Sequence, residues 1–358
     1  GGATEFCLGT TNPVATITGA AGGTFSATGG LSIDPNTGEI DLSTATAGNY
    51  QVTYSPDSWV QDGNFLETGS LNSTSIDSLG KRIVIGAMSY FKIYDWDGSN
   101  WILNDSIPET GYDVELSSSG NELAVAIIHQ GMKIYSYDGN SWTQKGQFID
   151  DQSTNSSSLQ NFGCSVGLSG DGETVAVSND GGSNIDIFQF NSNTLNWDKM
   201  GLDIPSTGSC HGLGIAINRN GNIIANNREV FSWDGNDWDQ LGQTLDNTNY
   251  SSVALNPQGN IVAIGNRTDQ TTKVFSFNGS NWDQIGQTLT PVLSSPNSFS
   301  YAIDINSNAD VLIIGNPKFH STNDSTYMIE AYKYDGISWN LLGNSIIGYN
   351  TNVNEWGL

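Results

Sequence analysis

The sequence predicts an all-β protein whose larger part is a β-propeller. Three observations support this fold class: a repeat marked by tryptophan, a glycine turn within each repeat, and short runs of β-branched and aromatic residues. Tryptophan recurs at intervals of 41 to 57 residues, at Trp59, Trp101, Trp142, Trp197, Trp238, Trp282 and Trp339. Four-stranded units of about 40–50 residues that repeat along a chain are typical of propeller blades. We therefore assign residues 55–358 to the propeller and residues 1–54 to a separate module.

Each repeat is predicted to contain four short strands, named A to D. In the best-defined copy, strand A covers Val253–Asn256, strand B Ile261–Gly265, strand C Lys273–Phe277 and strand D Trp282–Leu289. These runs are bounded by Gly, Asn and Asp, which is the pattern of strands joined by hairpin turns. The glycine of the A–B turn recurs as Gly80, Gly120, Gly172, Gly221 and Gly259, with Ala309 in the last copy.

The number of blades follows from counting complete sets of strands. Six sets run from about Ser75 to Ile347, and a lone strand of type D precedes them at residues 59–66. Residues 354–358 resemble the approach to another strand A. We expect a seven-bladed ring whose last blade is incomplete in this chain, with strand D from residues 59–66 and strands A to C beyond Leu358. A closed six-bladed ring is the alternative.

A turn of the form Asp-Gly-x-x-Trp leads from strand C into the tryptophan of strand D. It resembles the Asp-box of sialidase-type propellers. The resemblance implies a structural role, in which the carboxylate accepts backbone N–H groups, glycine takes a positive φ and the tryptophan packs between blades. The aspartates concerned are Asp97, Asp138, Asp234 and Asp335, with Asn191 and Asn278 in two copies. The tryptophans are Trp101, Trp142, Trp197, Trp238, Trp282 and Trp339.

Residues 1–54 lack the tryptophan period and are rich in Gly, Ala and Thr. Alternating residues at 31–33 and 40–42 flank an Asp-Pro-Asn-Thr-Gly turn, which predicts a hairpin. Alternation at Tyr50, Val52 and Tyr54 predicts one more strand with one buried face.

Residues 3–54 also resemble a known family, through the sequences Cys-Leu-Gly-Thr-Thr-Asn-Pro, Gly-Gly-Thr-Phe-Ser and Ala-Gly-Asn-Tyr-Gln-Val-Thr-Tyr. They are similar to the immunoglobulin- or cadherin-like repeats of large Bacteroidota surface adhesins that leave the cell by type IX secretion, including gliding-motility adhesins. The resemblance implies a small β-sandwich stalk module on the extracellular surface of a Gram-negative bacterium. The partners it implies are the rest of a larger adhesin chain and outer-membrane secretion or motility components.

The sequence departs from this family in one respect, and it also resembles a second family. Such repeats usually carry a second cysteine after the last strand, which is absent here, so we expect Cys7 to be unpaired or to have its partner elsewhere. In the propeller, residues 162–169 resemble the FG-GAP blades of integrin α-subunits. That second resemblance is one of architecture.

The charge excludes two classes of partner. Only 12 Lys and Arg stand against 37 Asp and Glu, so the net charge is −25. Nucleic acids and anionic membrane surfaces are bound through clustered Lys and Arg, and this chain has few. We also expect no membrane insertion, because no stretch approaches 18 apolar residues.

We expect no cofactor and no metal site. Calcium is an alternative, because Asp95 with Asp97, Asp234 with Asp237, and residues 150–151 could supply oxygen ligands. However, no Asp-x-Asp-x-Asp-Gly loop with a distal Glu is present. The cysteines match no zinc spacing, and the histidines, His129, His211 and His320, are interpreted as solvated loop residues.

Cys164 and Cys210 fall at the start of strand A in neighbouring repeats. A disulfide between them is conceivable in an extracellular compartment. Two buried thiols that act as small apolar side chains are the preferred interpretation.

An enzymatic role is not expected. Sialidase-type propellers hold a substrate carboxylate with three arginines, and this chain has four in all, namely Arg82, Arg219, Arg228 and Arg267. Only the last two are predicted to share a face. A hydrolase acting on polysaccharides or sialosides is therefore the less favoured alternative.

The predicted ligand-binding surface is the face that carries the B–C and D–A connections, because length variation concentrates there. Side chains with suitable reach on that face are Tyr90, Tyr112, Asp151, Arg228, Arg267, Lys318, Phe319 and His320. Aromatic rings can stack on sugars, and carboxylates can bind hydroxyl groups. We expect a non-catalytic adhesion module that binds an extracellular glycan or a surface protein. The alternative is a structural spacer or a docking unit for secretion or motility machinery.

Overall fold

The structure, a computed structural model, confirms the all-β propeller prediction. It describes residues 5–7, 11–15, 23–55, 59–64, 66, 71–87, 89–109, 111–127, 130–150, 162–179, 184–205, 214–226, 228–245, 251–291, 300–317 and 325–350. These residues form β-strands and no helix. Accordingly, none of these segments contains a helix long and apolar enough to cross a membrane.

The described part of residues 1–55 contains one antiparallel pair of strands, β1 (Thr24–Ala27) and β2 (Val52–Ser55). The ring of Phe25 on β1 lies 4.8 Å from that of Tyr54 on β2. The predicted turn after Ile33 is present, since Ile33 and Ile40 form a bridge and the Asp34 carboxylate accepts the N–H of Thr37. The immunoglobulin-like sandwich stays a prediction.

Six antiparallel sheets follow, and each runs through strands A to D in chain order. Blade 1 contains β3 (Leu71–Ile76), β4 (Arg82–Ala87), β5 (Tyr90–Trp96) and β6 (Trp101–Ile107). Blade 2 contains β7 (Asp113–Leu116), β8 (Glu122–Ile127), β9 (Gly131–Tyr137), β10 (Trp142–Gln144) and β11 (Ile149–Asp150). Blade 3 contains β12 (Phe162–Leu168), β13 (Thr174–Asn179), β14 (Asn184–Asn191), β15 (Asn196–Lys199) and β16 (Ile204–Pro205).

The remaining three blades repeat this order. Blade 4 contains β17 (Ala216–Ile217), β18 (Ile223–Ala225), β19 (Val230–Trp233) and β20 (Trp238–Gln240). Blade 5 contains β21 (Ser251–Leu255), β22 (Ile261–Asn266), β23 (Thr271–Phe277) and β24 (Trp282–Gln284). Blade 6 contains β25 (Ala302–Ile305), β26 (Val311–Pro317), β27 (Ser325–Tyr334), β28 (Trp339–Leu341) and β29 (Ile346–Asn350). The six-bladed arrangement thus describes this part of the chain, and the seventh blade stays a prediction.

The A strands lie at the centre of the ring. β7 contacts β3 on one side and β12 on the other, and the same contact recurs from β12 to β17, β21 and β25. Asp304 on β25 is close enough to help raise the pKa of Glu115 on β7. In a propeller the innermost strands surround a central channel.

The sequence predicted one continuous strand D in each blade. In most blades the structure instead divides strand D into two parts. In blade 5, β24 ends at Gln284, and Leu289 then returns to pair with Thr272 on strand C. Gly286 lies in the break with a φ of 70°, and a Cβ atom there would lie 2.5 Å from Cδ1 of Trp339. The break thus brings the backbone of one blade against the tryptophan of the next.

The turn that precedes each tryptophan is held by its own side chain. Oδ1 of Asp138 accepts the backbone N–H groups of Asn140 and Ser141 at 2.8 Å each. These two bonds lower the pKa of Asp138. Asp97, Asp234 and Asp335 make the same pair of bonds two and three residues ahead, as do Asn191 and Asn278.

From Trp142 onward, each of these tryptophans packs across the junction with the preceding blade. The indole N–H of Trp197 donates to the carbonyl oxygen of Lys145 at 2.8 Å, and its backbone N–H donates to Oε1 of Gln147 at 2.8 Å. Both acceptors belong to the preceding blade. Buried apolar clusters fill the junctions between consecutive blades, such as Ala124, Met132 and Ile134 of blade 2 with residues of blade 3.

Cys164 corrects one sequence-based preference. This residue of β12 is buried and disulfide-bonded, so the preferred interpretation as a thiol is wrong. Spacing along the chain did not reveal it, because a disulfide depends on the distance between Cα atoms in space. Cys210, the conceivable partner, lies outside the described residues.

A buried carboxylate in blade 3 makes the fold sensitive to pH. Asp186 on β14 is buried, and Lys199 contacts both Asp186 and Asp203. Burial raises the pKa of Asp186 from 3.8 to about 6, and the opposing attraction of Lys199 does not cancel that effect.

Asp186→Asn tests this sensitivity. Between about pH 4 and pH 6 the native carboxyl keeps a proton that the unfolded chain releases, so the wild-type protein loses stability as the pH rises. We expect the difference in Tm, Asp186→Asn minus wild type, to become more positive as the pH rises from 4 to 7. Thermal unfolding across this range measures it, with Asp239→Asn on the exposed side of β20 as control. Parallel curves for wild type and Asp186→Asn would contradict the assignment.

Gly286→Ala tests the contact between strand D and the next tryptophan. The added Cβ must displace Trp339, whereas in Gly139→Ala, with a φ of 95°, it meets no atom within 4 Å. Both variants carry left-handed backbone strain of about 1 kcal/mol, and we expect Gly286→Ala to lose about 1–3 kcal/mol more. Urea denaturation measures both free energies of unfolding. Equal losses would show that the close approach contributes nothing.

Candidate functional site

A pocket opens between blades 1 and 2 on the face that carries the B–C and D–A connections, here called the upper face. Its cavity volume is about 560 Å³, which lies within the range of about 300–1,000 Å³ usual for small-ligand sites. The residues that line it are Ser89, Pro108, Glu109, Ile127, Gln130, Lys133 and Phe148.

Connections between strands place most of these residues. Ser89 lies in the turn between β4 and β5, and Glu109 comes two residues after β6. Phe148 directly precedes β11, in the interrupted strand D of blade 2. Lys133 lies within strand β9, and Ile127 is the last residue of β8. The pocket is therefore built from the ends of two adjacent blades.

Glu109 is the centre of a polar group inside this pocket. Its Oε1 is in contact with Nζ of Lys133, and its Oε2 accepts the hydroxyl of Tyr135 at 2.7 Å. Lys133 and Tyr135 are two residues apart on β9, so both side chains leave the same side of the strand. Burial, together with the bond to Glu109, raises the pKa of Tyr135. The hydroxyl is therefore a neutral donor at ordinary pH.

Phe148 gives the pocket an aromatic wall. The Nζ atom of Lys133 lies 5.9 Å from the centroid of the Phe148 ring. A carboxylate, an ammonium group and an aromatic ring thus face one cavity. Such a set can accept and donate hydrogen bonds to hydroxyl groups while the ring contacts an apolar face.

Two of the residues proposed from the sequence, Tyr90 and Tyr112, do not line this pocket but lie next to residues that do or to their neighbours. Tyr90 follows Ser89 in the chain, and Nζ of Lys92 lies 4.8 Å from the Tyr90 ring. Tyr112 donates its backbone N–H to the carbonyl of Ala126, which is next to Ile127. The structure thus brings Tyr90 and Tyr112 to the same blade junction.

Two other proposed residues lie elsewhere on the upper face. Arg228 follows strand B of blade 4, where its N–H donates to Oδ1 of Asn226. Arg267 follows strand B of blade 5, and its guanidinium lies 4.1 Å from the ring centroid of Tyr301. Neither lines the pocket. Asp151, Lys318, Phe319 and His320 lie outside the described residues, as do His129 and His211.

The sequence-based search missed Glu109, Lys133 and Phe148. Long loops were the criterion for the predicted site, whereas Glu109 follows the end of β6, Lys133 lies within β9 and Phe148 lies in the break of strand D. One signal was available, because Lys133 is a charged residue within the apolar run Gly-Met-Lys-Ile-Tyr at 131–135 in a chain with few cations.

The carboxylates named as possible calcium ligands already hold protein groups. Asp95 pairs with Arg82 through two bonds of 2.6 and 3.0 Å. Oδ1 of Asp237 accepts the N–H groups of Leu202 and Trp238 at 2.9 Å each. Within the described ranges, no three His, Cys, Asp or Glu side chains are grouped so that they could hold a metal ion.

Carboxylates also line the central channel, where they connect the blades. Oδ1 of Asp113 on β7 accepts the hydroxyl of Ser73 of blade 1 at 2.7 Å. Its Oδ2 accepts the hydroxyl of Ser165 and the N–H of Val166 of blade 3, both at 2.9 Å. Burial raises the pKa of Asp113, and it raises that of Glu115 further with help from neighbouring carboxylates. Asp113 therefore connects three blades.

No protein-family model matches the chain, and no curated protein matches it. Solved structures do match. A protein of unknown function from Desulfotomaculum acetoxidans is 12% identical, with a TM-score of 0.54 over 78% of this chain and 88% of that one. A candidate 6-phosphogluconolactonase from Bacteroides uniformis is 14% identical, with a TM-score of 0.52 over 78% and 88%. Kuenenia stuttgartiensis hydrazine synthase is 12% identical, with a TM-score of 0.51 over 74% and 84%.

The comparison establishes the fold. This chain has a β-propeller architecture. At such low identity the chemistry of the matched proteins does not transfer, because one propeller scaffold carries many unrelated functions.

Asp113→Ala tests the role of the channel carboxylate. The variant removes an acceptor from two hydroxyls and from the N–H groups of Val114 and Val166, and we expect a loss of about 2–5 kcal/mol in the free energy of unfolding. Asp239→Ala, which removes an exposed carboxylate from β20, is the control and should change stability by about 0.5 kcal/mol or less. Chemical denaturation measures both. A loss from Asp113→Ala no larger than the control would contradict this role.

Proposed function

We propose that the protein is a non-catalytic adhesion module that binds an extracellular glycan through the pocket between blades 1 and 2. The observation that supports the proposal is the set of Glu109, Lys133 and Phe148 around one cavity. Sugars present hydroxyl groups and apolar ring faces together, and this set offers a partner for each. Glu109 and Lys133 are already held together, so a ligand needs little ordering of the site.

Two further features fit an extracellular setting. Cys164 is disulfide-bonded, and disulfides persist mainly in oxidising compartments. The net charge of −25 favours solubility and discourages non-specific contact with anionic surfaces. Together with the adhesin-like pattern of residues 3–54, these features support a place in a larger secreted bacterial adhesin.

A glycan array with purified protein tests the proposal. We expect binding to a restricted set of glycans, and a loss of affinity of about tenfold or more in Glu109→Gln and in Phe148→Ala, since each removes a polar or stacking partner worth roughly 1–3 kcal/mol. Glu173→Gln is the matched control, because Glu173 is also paired with a lysine, Lys145, away from the pocket.

The outcome separates the two function classes. Binding that is lost in the pocket variants and kept in Glu173→Gln supports the adhesion module. Binding that all variants retain would place the ligand elsewhere on the protein. If no binding is detected on the array or in a surface-binding assay, the structural spacer or docking unit would be favoured.

A further inference from the structure

Blade 6 has one face that no other described blade covers. One position of strand B lies four residues after the glycine of the A–B turn. In blades 1 to 5 the residue at this position is 0% exposed, namely Val84, Ala124, Ala176, Ala225 and Ala263. In blade 6 the same position is Ile313, which is 44% exposed. In the earlier blades, this side of the sheet packs against the next blade.

Two neighbouring positions repeat the pattern. On strand C the fully buried residues are Phe91, Met132, Ile185 and Thr272, at 0% each, whereas the blade 6 copy Ile329 is 40% exposed. On the outer part of strand D the buried residues are Ile149, Ile204 and Leu289, at 0 to 4%, whereas Ile346 is 42% exposed. Three isoleucines thus form an apolar face with the position and chemistry of a blade junction.

Blade 1 also has an uncovered apolar residue, on the side of its sheet that faces away from blade 2. Ile76 at the end of strand A is 49% exposed, while its copies Leu116, Leu168 and Ile305 are 4 to 6% exposed. In the later blades this residue packs against the preceding blade. The two uncovered faces therefore belong to the two ends of the series of blades.

Residues 59–64 contact blade 1 in the way that a strand D contacts the next blade. Oδ1 of Asn64 accepts the backbone N–H of Trp101 at 2.9 Å. The glutamines that precede blades 3, 5 and 6 make this contact with Trp197, Trp282 and Trp339 at 2.8 to 3.0 Å. Gly63, with a φ of 78°, lies against Trp96 at the end of strand C of blade 1, as Gly201 lies against Trp233 at the end of strand C of blade 4.

Trp59 lacks the covering that its copies have. It is 47% exposed, whereas Trp142, Trp197, Trp238, Trp282 and Trp339 are 2 to 8% exposed. For Trp197, Trp282 and Trp339, the preceding blade supplies a glycine that lies against the indole and, next to it, a glutamine that accepts the backbone N–H of the tryptophan. Blade 6 has such a pair, Gly343 and Asn344, at the corresponding place in its own strand D.

We propose that the uncovered face of blade 6 and residues 59–64 are the two walls of a seventh-blade site. Its occupant is a three-stranded antiparallel sheet, strands A to C of a further repeat, supplied by the same polypeptide after blade 6. The order of strands supports this source, because each strand D in the series is followed in the chain by strand A of the next blade. Once the sheet is bound, the Trp59 indole packs on Gly343 and the Trp59 backbone N–H donates to the side-chain oxygen of Asn344.

Ile329→Asp and Met132→Asp, made in the 358-residue chain, test whether the face is vacant. Both substitutions put a carboxylate at the same position of strand C, in blades 6 and 2. We expect Ile329→Asp to shift Tm by less than about 2 °C, since surface substitutions have small effects, and Met132→Asp to lower Tm by about 10 °C or to prevent folding. Equal damage from both would show that the face is already covered and would overturn the proposal.

The same pair of variants in the polypeptide extended by one natural repeat, about 40 residues, tests the occupant. There Ile329→Asp should become as damaging as Met132→Asp. Acrylamide quenching, taken as the difference between wild type and Trp59→Phe, should show Trp59 protected in the extended chain and accessible in the 358-residue chain. An Ile329→Asp variant that stays harmless, or a natural polypeptide without such a repeat, would overturn the proposal. A third outcome would also overturn it. If Trp59 became protected in the 358-residue chain as the protein concentration rises, the occupant would be a second copy of the chain.

Discussion

The packing of each strand-D tryptophan on the blade before it is the contact on which the architecture depends. Trp197 shows it fully: the indole lies against Gly146 and donates to Lys145, while the backbone N–H donates to Gln147. Repetition of this contact gives successive blades the same relative orientation, so their A strands converge and their upper connections share one face. The pocket at Glu109 is a consequence, because its walls come from two blades that this packing brings together.

The acidity of the chain has several physical origins. Asp138 and its copies hold the turns that present the tryptophans, and backbone N–H groups lower the pKa of these exposed carboxylates. Asp113 connects three blades at the channel, where burial raises its pKa instead. Asp186 combines burial with a lysine. Many carboxylates are therefore structural, and net charge alone describes little of what they do.

The sequence predicted whatever is local or repeated. The turn at Asp138 was predictable because the carboxylate and its donors lie within three residues, and the blades were predictable because Trp142 and its copies recur. Contacts between blades were not. The break at Gly286 reflects a tryptophan of the following blade, and the Glu109–Lys133 pair joins two blades across a junction. Neither pairing leaves a pattern in one linear sequence, because it depends on how two sheets approach.

The functional claim depends on the pocket between blades 1 and 2, and the most direct measurement is a crystal structure of the protein with the glycan that binds it best. The account predicts sugar density in this pocket, with a hydroxyl within hydrogen-bond distance of Glu109 and a ring face against Phe148. A glycan bound on another part of the protein, with the pocket between Glu109 and Phe148 left empty, would contradict it.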